Sequence, residues 1–140
     1  MSSDPLPIDD VVHVAEFRAA LRGFLHRSER IARSSGLTPQ RYLLLLMIKG
    51  APDGSEQSTV TELAERLQLA QSTVTELVSR AEEAGLVERE ASASDGRVAL
   101  LRLTADGEER LVHAFTDLES ERRDLRDAFA HLEGTSNPVS

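Results

Sequence analysis

Residues 59–85 constrain the fold more than any other part of the sequence, because they predict two short helices with almost nothing between them. The first opens at Thr59, where the run TVTE places a hydroxyl three residues before Glu62 and so fits a capping box. After a break of three residues, a second helix is predicted from Gln71 to Ala84, with Gly85 ending it. Two short helices joined by a tight turn are a helix-turn-helix.

Two strand-like segments follow these helices. Leu86–Glu90 and Val98–Thr104 read as strands, and the second is rich in branched apolar residues. The run ASASDGR between them is made of turn-forming residues. A hairpin directly after a helix-turn-helix predicts a winged helix-turn-helix, in which the hairpin is the wing.

The pentapeptide TVTEL occurs twice, at residues 59–63 and 73–77. The first copy straddles the predicted start of a helix, whereas the second lies inside its helix. A solenoid needs at least three repeats, and no third copy exists, so we interpret the echo as coincidence.

Helices are also predicted on both sides of this unit. One begins at Asp9, with Asp9 or Asp10 as its cap, and ends at Gly36. The next opens with Thr38-Pro39 and is apolar nearly all round up to Gly50, so we expect it to be central and buried. The fold class is therefore mainly α with a small β-hairpin wing.

A last long helix, capped by Thr104 and reaching about Glu133, carries apolar residues at near-heptad spacing. These residues are Leu111, Phe115, Leu118, Leu125, Phe129 and Leu132. So small a domain cannot bury the distal half of this helix, so we interpret the stripe as a dimer seam, with ordinary core as the alternative. Arg122 falls on the stripe, where it snorkels, pairs with an acid, or meets a ligand or a carboxylate across the dimer. The chain is then one domain, 1–140, with dimerisation helices at 9–36 and 105–133 around a winged lobe at 38–104.

The two short helices are predicted to bury one face against each other. The residues on that face are Leu63, Ala64, Leu67, Val74, Leu77, Val78 and Ala81. The outward residues of the second helix are Gln71, Ser72, Thr75, Glu76, Ser79 and Glu83, with Thr73 near the N-terminal edge. Small polar side chains there suit a helix that enters the DNA major groove, and the helix N-terminus favours phosphate. Arg80, one turn further on, reaches the DNA backbone, and Arg97 on the wing tip suits a minor groove.

At these residues the sequence resembles the MarR family of bacterial transcription regulators, over roughly residues 10–133. The most specific part is Asp95-x-Arg97 followed after five residues by Leu103-Thr104, which is similar to the family's wing signature. TELAERL and STVTELVSRAEEAGLVER are similar to its two DNA-binding helices. The resemblance implies that Asp95 orients Arg97 in the minor groove. It also implies that Gln71, Ser72, Thr73 and Glu76 face the major groove.

Three positions depart from the family pattern. Gln68 stands where the turn usually has glycine, and a left-handed backbone there costs about 1 kcal/mol. Ala70 stands where a serine usually caps the recognition helix, with a loss of ~1 kcal/mol. Glu76 replaces a commonly basic residue, which lowers affinity for phosphate; its alternative role is to accept a hydrogen bond from a cytosine amine.

The resemblance also implies a small aromatic or anionic effector, held between the dimerisation helices and the DNA-binding lobe. The candidate residues are His13, Phe17, Arg18, Tyr42 and Met47. Their alternative role is plain packing or exposure, since helix phase alone does not separate a pocket wall from the core. A metal-responsive regulator is a further reading, based on His113 and Asp117 at a spacing of four, and it predicts that a chelator changes DNA binding.

Composition excludes several other classes of protein. The chain has no cysteine, which removes disulfides, thiolate metal sites and catalytic cysteines. It has no enzyme motif and no cofactor motif. The acidic start, MSSDPLPIDD, and the lack of an 18-residue apolar run predict a cytoplasmic location without a membrane partner. The net charge of −8 keeps open an alternative, a winged-helix module that binds a protein instead of double-stranded DNA.

Overall fold

The structure, a computed structural model, describes residues 5–117 and 119–134, apart from the side chains of residues 115–117, 121, 131, 133 and 134. It contains six helical segments and one two-stranded antiparallel sheet, so the predicted fold class is confirmed. In chain order these are α1 Ile8–Ser34, α2 Pro39–Lys49, α3 Val60–Leu67, α4 Gln71–Glu83, β1 Val87–Ala91, β2 Ala99–Leu103, α5 Ala105–Asp117 and α6 Glu119–Gly134.

The helix ends follow local chemistry. Thr38 Oγ1 accepts a hydrogen bond of 3.1 Å from the Arg41 backbone N–H, and Pro39 occupies the first position of α2, as predicted. Thr59 and Glu62 form the predicted capping box at the start of α3. Asp9 and Asp10 were wrongly expected to cap α1. They lie in its first turn, where a carboxylate stabilises the helix through the dipole.

The core around the helix-turn-helix is built from α2, α3, α4 and β2. Its largest fully buried apolar side chains are Leu44, Leu45, Ile48, Leu63, Val74, Val78 and Leu101. Each contributes roughly 1.5–3 kcal/mol relative to an exposed side chain. The predicted central position of α2 is confirmed by the burial of four of its residues.

The wing is a hairpin whose register pairs Val87 with Leu103 and Ala91 with Ala99. A contact that the sequence did not predict extends it: Ser58 exchanges backbone hydrogen bonds of 3.1 and 2.8 Å with Leu101. Ser58, next to the α3 cap residue Thr59, is thereby fixed to β2, so the wing is attached to the helix-turn-helix through backbone as well as side chains.

The described residues fall into two compact units. One is Ala32–Thr116, which contains the helix-turn-helix and the wing, and the other takes the residues up to Ile31 and from Asp117 onward. One helix was expected from Thr104 to Glu133. The structure describes two helical segments there, α5 and α6, and Leu118 between them is outside the described residues. The predicted domain limits stay a prediction. Within the described ranges, no helix is long and apolar enough to cross a membrane.

Candidate nucleic-acid interface

The outer face of α4 is polar and exposed over its first two turns. Gln71, Ser72, Thr73, Thr75 and Glu76 are all exposed. Val74, Val78 and Ala81, on the other face, have no exposed surface. The helix phase predicted from the apolar spacing is therefore confirmed, and the polar side chains form one continuous strip.

The N-terminal end of α4 is open. Ala70 is the residue before the helix and supplies no side-chain cap, so the first backbone N–H groups of α4 lack a side-chain acceptor. Gln71 is anchored sideways, since its Nε2 donates a hydrogen bond of 3.2 Å to Thr61 Oγ1 on α3. Gln68, in the turn, adopts the left-handed conformation with φ 58°. This end of the helix presents donors and a positive dipole.

A salt bridge crosses the middle of the polar strip. Arg80 Nη2 donates to Glu76 Oε1 at 2.7 Å, and both side chains are about two-thirds exposed. Arg80 lies one turn after Glu76 on the same face, as the sequence predicts. The cation is therefore already engaged with a carboxylate of its own helix.

The wing tip presents a single extended cation. The Arg97 side chain is 94% exposed, and Asp95 Oδ1 accepts hydrogen bonds of 3.1 Å from the Arg97 backbone N–H and 3.5 Å from its Nε. The aspartate thus closes the turn and contacts the base of the guanidinium. Asp95 and Arg97 stand together as the resemblance implies.

The structure adds arginines that the sequence reading did not assign. Arg89 Nε bonds Glu82 Oε1 at 2.8 Å and so links β1 to α4, while Arg102 lies between Glu88 and Glu90 on the outer face of the hairpin, at 3.6 and 3.2 Å. The hairpin register predicts the contacts of Arg102, because Glu88 is its cross-strand partner. These pairs neutralise the body of the wing, while the Arg97 guanidinium projects from its tip.

A shallow cleft of about 270 Å³ lies between the start of α2 and α4. Its lining residues are Thr38, Pro39, Gln40, Arg41, Leu77 and Arg80. Arg41, in the first turn of α2, was not among the predicted site residues. The cleft brings a second arginine to the same side of the lobe as Arg80.

Lys49 is the last residue of α2 and forms two ion pairs. Its Nζ bonds Glu108 Oε1 at 2.6 Å and Glu56 Oε1 at 2.9 Å, which joins the end of α2 to α5 and to the loop before α3. Hydrogen bonds that Lys49 donates to Glu108 first, and then to Glu56, raise its pKa above the ordinary value. The two ion pairs of Lys49 link these three segments.

The five effector candidates have separate surroundings. The His13 ring contacts the Asp9 carbonyl within α1, and Arg18 is exposed. The ring centroids of Phe17 and Phe129 are 4.8 Å apart, and the rings are tilted by 59°. Tyr42 is 2% exposed in the core of the lobe, and Met47 is half-buried. Their role in ligand binding stays a prediction.

The metal reading rests on two residues. His113 is exposed, and the Asp117 side chain is outside the description. Among the side chains that the structure describes, no group of three or more His, Asp or Glu residues could hold a metal ion.

Helix-turn-helix, wing and flanking helices together define a winged helix-turn-helix protein. A MarR family sequence profile matches residues 35–98. Among curated proteins none matches the chain. Residues 35–98 are therefore similar to MarR family sequences, and the solved structures below share the fold over most of the chain.

Solved structures of this family superpose on most of the chain. A MarR family protein from Bacillus stearothermophilus is 25% identical, with a TM-score of 0.67, and the match covers 90% of this chain and 81% of that one. AbsC, a MarR family transcriptional regulator from Streptomyces coelicolor, is 21% identical, with a TM-score of 0.67 over 94% and 84% of the two chains. Wild-type MarR from E. coli, in its apo form, is 19% identical, with a TM-score of 0.67 over 95% and 96%.

Proposed function

We propose that the protein is a sequence-specific DNA-binding transcriptional regulator that binds a palindromic operator as a homodimer and acts as a ligand-responsive repressor. The observation that carries the proposal is the pairing of an exposed polar strip on α4 with a wing-tip arginine that is 94% exposed. The first reads base edges in a major groove, and the second enters a neighbouring minor groove.

The backbone of α4 adds a contact without sequence preference. Its uncapped N-terminus, after Ala70, directs N–H groups and the positive end of the helix dipole at a phosphate. The Gln71 side chain, at the N-terminal edge of the strip, is held by its hydrogen bond to Thr61. The side chains of Ser72, Thr73 and Thr75 are short enough to let the helix approach the bases.

The homodimer is supported by apolar surface on α1 and α6. Val11, Val12, Val14 and Leu25 are between 40% and 49% exposed, and Phe129 is 46% exposed although its ring stacks on Phe17. Exposed apolar surface of this kind is suited to burial against a second copy of the chain. Two recognition helices related by a two-fold axis would enter successive major grooves about 10 base pairs apart.

A ligand would act through a preference for one arrangement of the dimer. A small aromatic or anionic molecule lowers DNA affinity only as far as it favours the arrangement that does not fit the operator. The candidates for such contacts remain His13, Phe17, Arg18, Tyr42 and Met47.

The proposal is tested first on the wing. Selection from a random duplex library gives the operator, and fluorescence anisotropy then measures its affinity for Arg97→Ala and for the control Arg102→Ala. Loss of Arg97 is expected to weaken binding by about 1–3 kcal/mol, the range of a good arginine contact to DNA. Arg102, already paired with two glutamates, is expected to matter less. Equal affinities for wild type and Arg97→Ala would refute the role of the wing.

A second function, a winged-helix module that binds a protein, is favoured by the net charge of −8 and by the neutralised arginines on α4 and the wing. Sequence preference, measured together with the salt dependence of affinity, separates the two functions. A DNA-binding protein loses affinity as salt rises and prefers one sequence, whereas the protein-binding module has no preferred duplex.

A further inference from the structure

An acid stands in the middle of the surface that is expected to face DNA. Glu76 lies on the exposed strip of α4, with its side chain 64% exposed. The other exposed residues of the first two turns, Gln71, Ser72, Thr73 and Thr75, are uncharged. A carboxylate beside phosphates is repelled, so its presence on this strip requires a compensating interaction.

The first compensation is Arg80. Its guanidinium donates to Glu76 Oε1 at 2.7 Å, with the glutamate one turn before the arginine, the favourable order in a helix. The pair carries no net charge, and the arginine holds the carboxylate in place. Among the described contacts, Glu76 Oε2 accepts no hydrogen bond, so one oxygen is left for an outside donor.

The major groove offers few donors to that oxygen. Guanine presents two acceptors there and thymine presents an acceptor and a methyl group, so both repel a carboxylate. Adenine presents a donor directly beside an acceptor. Cytosine presents only its N4 amine, a donor without a neighbouring acceptor on the same base.

We infer that Glu76 selects a C·G base pair in each half-site by accepting a hydrogen bond from cytosine N4, and that Arg80 is the positioning residue for its carboxylate. The inference rests on the proposed function, since it needs α4 in a major groove. It names the base class that this chain reads and assigns Arg80 to holding Glu76 in addition to contacting phosphate.

The experiment compares base preference in four proteins. Wild type, Glu76→Gln, Arg80→Met and a control, Glu83→Gln, are each selected on the same random duplex library. Glu83 lies on the same helix, is exposed and loses the same charge, but it falls two turns later. Affinities are then measured on one duplex and on its C·G→T·A and C·G→A·T versions.

The expected result is a change in preference at one position. Wild type is expected to prefer C there by about tenfold or more over T, and Glu76→Gln to favour A, because an amide bonds adenine N6 and N7 together. Arg80→Met is expected to lower the ratio of affinities for the C·G and T·A duplexes. It is also expected to weaken binding to every duplex. Glu83→Gln is expected to keep the wild-type preference.

The outcomes separate this inference from the proposed function. A wild-type protein that selects a sequence, with the same preference in Glu76→Gln, overturns the cytosine contact and leaves DNA recognition standing. An unchanged preference in Arg80→Met overturns its positioning role. A wild-type protein that selects no sequence overturns both the inference and the proposed function. Circular dichroism melting of each variant is the control for folding, and these exposed substitutions are expected to leave the fold intact.

Discussion

Gly107 is a position where a single added carbon would clash with the backbone of a neighbouring segment. It lies in the first turn of α5, and a Cβ built there would stand 2.1 Å from the Leu86 carbonyl oxygen and 3.4 Å from Leu103 Cβ. That carbonyl is held in place, because it accepts a hydrogen bond of 3.0 Å from the Thr104 backbone N–H. Thr104 Oγ1 in turn donates to the Gly85 carbonyl and accepts from the Gly107 N–H, at 2.6 and 3.1 Å.

The cost of Gly107→Ala follows from these contacts. Overpacking against a fixed neighbour costs typically about 1–3 kcal/mol, and weakening the bond from Thr104 to Leu86 adds about 1 kcal/mol. Better helix propensity returns at most ~1 kcal/mol. We therefore expect Gly107→Ala to lower the free energy of unfolding by about 1–3 kcal/mol, a fall in Tm of roughly 4–12 °C for a chain of this size.

Gly23 is the matched control, because it is also a helical glycine. A Cβ there meets only the flexible end of Arg27, at 3.2 Å. Gly23→Ala is therefore expected to stabilise the protein by about 0.5–1 kcal/mol. Urea unfolding followed by circular dichroism, at one protein concentration, measures both variants. Gly107→Ala as stable as wild type, or Gly23→Ala as unstable as Gly107→Ala, would refute the reasoning.

Three further substitutions test other parts of the molecule. Ala70→Ser supplies the missing cap of α4 and is expected to raise the free energy of unfolding by about 1 kcal/mol in the same urea titration. Lys49→Met removes two half-exposed ion pairs and is expected to cost less than about 1 kcal/mol. Since the pKa of Lys49 is raised in the folded state, wild type should keep this advantage below about pH 10.5 and lose it as the pH rises further, which urea titrations across that range would detect. Phe129→Asp is expected to give monomers in light scattering if α6 forms the dimer, and a dimer that persists would contradict that role.

Features set by neighbouring residues were predictable from the sequence. The capping box of Thr59 and Glu62, the proline start of α2 and the glycine after α4 each depend on residues a few positions apart, and all are confirmed. The two copies of TVTEL show the same principle. Thr59 caps α3, whereas Thr73 lies inside α4, because the residues before them differ.

Contacts between distant segments could not be predicted in this way. The backbone pairing of Ser58 with Leu101 and the bonds from Arg66 to the carbonyls of Met47 and Gly50 join segments whose approach only the folded chain defines. For the interface, helix phase predicted which side chains of α4 are exposed. It did not predict that Arg80 is held by Glu76, because an exposed arginine has several possible partners.

The distribution of charge decides how an acidic protein approaches DNA. Net charge matters little at a distance, because at 0.1 M salt the field is screened within about 10 Å. Among the described residues of α4 and the wing, Arg80, Arg89 and Arg102 are engaged with glutamates, while Arg97 projects from the tip. Few phosphate contacts mean a shallow dependence of affinity on salt, since each contributes a slope of about −0.9. Base contacts must then supply a larger share of the affinity, so a shallow slope with a strong sequence preference supports DNA recognition, and a shallow slope without one supports a protein partner.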